Sequence, residues 1–110
     1  MKYLIASVLS LAATSALAEP PVVEAVEIRG TRVSVTLSHP DTGWDHYADG
    51  WRIETGDGTV IGTRELLHPH VEEQPFTRSL NLMGLPDGPL FIRAKCSVDG
   101  WSDQVFSVER

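Results

Sequence analysis

Apolar side chains recur at every second position along most of this chain, and turn-forming residues interrupt them about every eight to twelve residues. In "TRVSVTLSH", Val33, Val35 and Leu37 share one face of an extended segment, with Arg32, Ser34 and Thr36 on the other. "VVEAVEIRG" sets Val26 and Ile28 against Glu27 and Arg29 in the same way. "GWRIETGDGTVIGTREL" reads as a hairpin: Trp51 and Ile53 point inward, Gly56-Asp57-Gly58 tolerate a turn, and the chain returns from Val60. "FTRSLNLMGL" places Leu80 and Leu82 inward and runs into the turn Leu85-Pro86-Asp87-Gly88. "PLFIRAKCS" then alternates Leu90, Ile92, Ala94 and Cys96 with Phe91, Arg93 and Lys95, and "QVFSVE" closes the chain. These seven segments predict an all-β, seven-stranded β-sandwich with a single core.

The first eighteen residues, "MKYLIASVLSLAATSALA", break the pattern. Lys2, an apolar run through Leu11 and the small-residue ending Ala16-Leu17-Ala18 read as a secretory leader with an A-x-A cleavage site. Residues 1–18 are therefore expected to be a signal peptide and residues 19–110 one domain, exported to the periplasm or secreted. No cysteine follows the cleavage site, so a lipid-anchored form is not expected. Nor is any later apolar run long enough to span a bilayer.

Charge narrows the partners. Fifteen Asp and Glu against nine Lys and Arg give a net charge of −6, and loss of Lys2 with the leader makes the mature chain more acidic still. Such a chain repels phosphate backbones and anionic lipid, so neither nucleic acid nor a membrane surface is an expected partner. The single cysteine, Cys96, has no intrachain disulfide partner. Its place in the inward set predicts a buried, unreactive thiol.

The inward Trp51, "SLNLMGLPDG" leading into an alternating strand, and "AKCSVDGWSD" before the last strand resemble a fibronectin type III or related immunoglobulin-like domain over nearly the whole mature chain. "DTGWDHYADGW" and "LLHPHVEEQPF" are also similar to segments of small exported bacterial proteins of no known activity. The resemblance implies a sandwich whose chain reverses at alternate poles. The loops at residues 38–50, 67–75 and 97–103 would then share one pole, with tight turns at the other.

All four histidines, His39, His46, His68 and His70, fall in the first two of those loops. Imidazole is a favoured ligand of Zn and Cu(II), and Pro69 keeps His68 extended, so His68 and His70 can face one side with His46 or His39 opposite. The expected cofactor on this reading is Zn or Cu, bound less tightly as pH falls through about 6–7. On the other reading the histidines are solvated or hydrogen-bonded loop residues, and Glu72 or Glu73 pairs with Arg78 or Arg64 while Phe76 enters the core. Asp41, Asp45 and Asp49 are expected to cap turns.

Trp44, Tyr47 and Trp101, with Glu72 and Glu73, form a candidate surface for a protein partner or other ligand. Trp101 alternatively folds over the strand ends. No G-x-S-x-G, phosphate-cradling glycine loop or H-E-x-x-H occurs, so a binding domain rather than an enzyme is expected. Two functions follow from the sequence. One is a metal-binding loop pole; the other is a metal-free interaction module using the loop aromatics or an edge strand.

Overall fold

The computed structural model describes residues 19–110, and the expected signal peptide at residues 1–18 lies outside the described residues. Every regular element among the described residues is a β-strand: β1 (Val22–Arg29), β2 (Arg32–Ser38), β3 (Ala48–Thr55), β4 (Val60–Glu65), β5 (Phe76–Asn81), β6 (Leu90–Cys96), β7 (Gly100–Trp101) and β8 (Phe106–Ser107). They form two antiparallel sheets. One has the order β1-β2-β5; in the other β4, β3, β6 and β7 follow one another, and β8 pairs with β6. Eight strands replace the seven expected, because the two-residue β7 pairs with the end of β6 before the C-terminal segment returns to its start. Two residues are too short a stretch for alternation to register in the sequence.

The inward set meets between the sheets. Val33, Val35 and Leu37 of β2 and Phe76 of β5 pack against Trp51 and Ile53 of β3 and Leu90, Ile92 and Ala94 of β6. Full burial of each large aliphatic in this set is worth about 1.5–3 kcal/mol, so the core supplies most of the driving force. Val26, Ile28, Leu80 and Leu82 are only partly buried at its margin. Across β2 and β5 the outward hydroxyls pair directly, Ser34 with Ser79 and Thr36 with Thr77, each at 2.7 Å. Such cross-strand pairs help to hold the register that the core alternation sets.

Two irregularities position the loops. Ala48 pairs with Cys96 and Gly50 with Lys95, so Asp49 is an extra residue bulged out of β3. Bulges re-aim the chain and are common beside functional sites. The Asp49 carbonyl here accepts the Leu66 N–H and ties the end of β4 to the start of β3. Gly100, at φ +76°, closes the tight connection from β6 to β7 and returns it opposite Cys96. At the other end of the sheets, the Leu82 N–H bonds the Thr31 carbonyl and Arg110 bonds the carbonyls of Pro86 and Gly88.

Candidate functional site

Three loops meet at the pole where β2, β4 and β6 end, and the buried carboxylate of Asp41 holds two of them together. Its Oδ1 accepts the Ala48 N–H at 2.9 Å and lies 2.6 Å from His39 Nδ1, while its Oδ2 accepts the His70 N–H at 2.8 Å. Asp41 thus does more than cap a turn; it joins the His39 loop to the start of β3 and to the loop after β4. Gln74 adds a second tie, accepting the His39 N–H and donating to the His70 carbonyl, both at 2.9 Å. The third loop is anchored by reciprocal bonds between Ser97 and Tyr47, with the Ser97 N–H donating to the Tyr47 carbonyl at 2.8 Å and the Tyr47 N–H to Ser97 Oγ at 3.0 Å.

This frame determines which imidazole nitrogens are free. A carboxylate already taking two backbone N–H groups acts as an acceptor, so His39 donates from Nδ1 and keeps its lone pair on Nε2. That Nε2 is buried and has no hydrogen-bond partner. His46 sits in a tight turn closed by Thr42 N–H to the His46 carbonyl and His46 N–H to the Gly43 carbonyl. Its Nε2 is likewise buried without a partner, and its ring meets that of His39 edge-on at 4.8 Å between centroids.

Beside them lies Cys96, the last residue of β6 and only 1% exposed. A nitrogen from each of His39 and His46 and the Cys96 Sγ all fall within 4.8 Å of one another. The Asp99 N–H donates to Cys96 Sγ at 3.3 Å. Buried polar atoms are normally paired, and two imidazoles with unpartnered nitrogens beside a thiol make a group of donors able to hold a metal ion. Sequence alone points to an inert thiol at Cys96. The signal that could have found it is the combination of two separate observations: an inward strand-end position, and a following loop at the histidine pole.

His68 and His70 form a second pair, with rings 4.5 Å apart. His68 is exposed, its Nδ1 3.0 Å from the Pro69 carbonyl. His70 is buried, stacked on Phe76 at 3.8 Å, and its Nε2 lies 3.0 Å from the Arg78 guanidinium as acceptor. Its Nδ1 is also buried without a partner, 3.9 Å from Asp41 Oδ2. Burial, with Arg78 and then His68 adding positive charge nearby, lowers the His70 pKa below its ordinary value. The structure thus brings His39 and His46 to Cys96, and holds His68 and His70 on the far side of Asp41.

Most of the other candidate residues have partners of their own. Trp44 is 69% exposed and meets Tyr47 edge-on at 5.7 Å. Trp101 lies on the outer face of the larger sheet, under the Arg52 guanidinium at 4.1 Å and near the Lys95 ammonium at 5.4 Å. Its partners are thus cations of β3 and β6. Glu73 pairs with Arg78 at 3.2 Å, Glu72 is exposed, and Phe76 is buried in the core.

No family model matches the chain. It is 41% identical over 83 residues to a Halomicrobium mukohataei protein described as a "putative lipoprotein", covering 74% of this chain and 40% of that protein. The chain therefore spans less than half the length of that relative. Among solved structures, it is similar to a hypothetical protein from Pyrococcus horikoshii, at TM-score 0.50 and 19% identity over 82% of this chain and 88% of that one. It is also similar to a superoxide reductase from Nanoarchaeum equitans, at TM-score 0.46 and 18% identity over 82% and 92% of the two chains. The first likeness concerns the fold alone. The expectation of a non-enzyme is corrected by the second neighbour, which is itself an enzyme of comparable span. At that TM-score the likeness assigns this chain no activity.

Proposed function

We propose that this chain is an exported, immunoglobulin-like metal-binding domain that holds a transition-metal ion through His39, His46 and Cys96. The reading is carried by one observation: two imidazoles, each with a buried Nε2 that has no partner, stand beside a buried thiol, on loops tied by Asp41. A thiolate with two imidazoles suits Zn or Cu, the thiolate being the donor that favours Zn and Cu(I) over hard cations. Asp41 would act on the metal through His39, as carboxylates behind metal-bound imidazoles do. The sheet orders β1-β2-β5 and β4-β3-β6-β7 support the fibronectin type III-like reading of the sandwich. The apolar leader and a relative named as a lipoprotein support export.

The test is the metal content of untagged protein purified after export, compared with two variants. Near-stoichiometric Zn or Cu is expected in the native chain and in the His68→Ala/His70→Ala double variant, and its loss in Cys96→Ser. Metal retained by Cys96→Ser but lost from the double variant would move the site to the other histidine pair. A native protein that takes up neither ion would end the metal reading. The exposure of Trp44 (69%), Leu67 (74%), Val71 (51%) and Val98 (60%) on the same loops favours a second reading, a metal-free face for a protein partner. Retained partner capture by Cys96→Ser and its loss in Trp44→Ala would support that alternative.

A further inference from the structure

A site made of two imidazoles and one thiolate leaves a fourth position for a tetrahedral ion. Asp99 follows Cys96 by three residues, in the short connection between β6 and β7, and its carboxylate turns back toward the sulfur. Cys96 Sγ and Asp99 Oδ2 are 3.6 Å apart. For a Zn-class ion at about 2.3 Å from sulfur and about 2.1 Å from a carboxylate oxygen, two donors at the tetrahedral angle stand about 3.6 Å from each other.

We propose that Asp99 is the fourth ligand, so that a divalent ion is held by His39, His46, Cys96 and Asp99. The proposal rests on the metal reading above and deepens it. Three observations carry it. The Nε2 of His39, on a residue only 3% exposed, has no hydrogen-bond partner and is open to a ligand, an observation independent of both the cysteine and the acid. The Asp99 backbone is held by its own N–H bond to Sγ and by the pairing of Gly100 with Cys96, and from there its carboxylate lies against the sulfur. Finally, the 3.6 Å between Cys96 Sγ and Asp99 Oδ2 is the separation that two donors of one tetrahedral ion take.

Cobalt(II) titration of the purified untagged chain tests this. A thiolate-to-cobalt charge-transfer band reports Cys96, and the visible d–d bands report coordination number. The native protein is expected to show the charge-transfer band together with intense tetrahedral d–d bands. Asp99→Asn should keep the first, weaken and shift the second, and bind Co(II) about 100-fold or more weakly. Asp99→His, which supplies another competent donor, should bind more tightly than Asp99→Asn, and it serves as the second variant should the Asn form be unstable. Native-like d–d bands in Asp99→Asn, with affinity within about threefold of the native protein, would overturn the Asp99 assignment while leaving the three-residue site standing. Equal, native-like affinity in both variants would overturn it as well. Absence of the charge-transfer band from the native protein would remove the metal reading itself, and this proposal with it.

Discussion

Asp41 is the residue on which the loop pole most depends, because three buried donors converge on its two oxygens. Asp41→Asn replaces one acceptor oxygen by an NH2 group and sets donor against donor. A loss of about 2–4 kcal/mol is expected in urea unfolding of the metal-free protein, and weaker Zn binding by about 10–100-fold. His70 carries a separate prediction. Its folded-state pKa lies below the ordinary 6.5, so the unfolded chain binds a proton that the folded chain resists. The stability contributed by its neutral form is present above that ordinary value and is lost as pH falls through the folded one. The urea midpoint should therefore drop on acidification from neutral pH, and less steeply in His70→Gln than in the native protein. At this scale the sequence marked all four histidines as candidates. It could not show which nitrogens remain free, since that depends on Asp41 reaching across to Ala48 and His70.

At the scale of the element, β3 and β6 carry most of the organisation. Trp51, Ile53, Leu90, Ile92 and Ala94 form the inner face of the larger sheet, and on the outer side Glu54 is clamped between Arg52 and Arg93. The Arg93 hydrogen bond, and then that of Arg52, hold the Glu54 carboxyl below its ordinary range against the cost of burial. The contribution of this clamp is complete above the unfolded-state pKa and is lost as pH falls through the lower folded value. Acid unfolding followed by circular dichroism should accordingly show a shallower stability decline in Glu54→Gln than in the native protein, from a lower plateau at neutral pH. The inward sides of β2, β3 and β6 were legible because alternation records burial directly. Glu54 was not, since a carboxylate buried on an outer face is covered by arginines that reach it from its own and the neighbouring strand.

At the scale of the whole molecule, the proposed metal ties the loop after β2 to the end of β6. Binding to the folded state alone stabilises by mass action, about 2.7 kcal/mol when free ion is 100 times Kd. For a domain of this size that raises Tm by roughly 10–20 °C. Thermal melts should show that rise with Zn, its reversal by chelator, and no rise in Cys96→Ser. The strand alternation and turn residues in the sequence by themselves determined the all-β class, the core and the hairpin at Gly56–Gly58, because burial on a pleated strand is a local, period-two property. The expected leader at residues 1–18 rests on the sequence pattern and lies outside the described residues. Only the tertiary structure decided the rest: the grouping of His39 and His46 with Cys96 rather than with His68 and His70, the bridging role of Asp41, and the placing of Trp44 against Tyr47 and of Trp101 under Arg52. Those outcomes depend on how sheet pairing brings together residues far apart in the chain, and short-range periodicity carries no record of it.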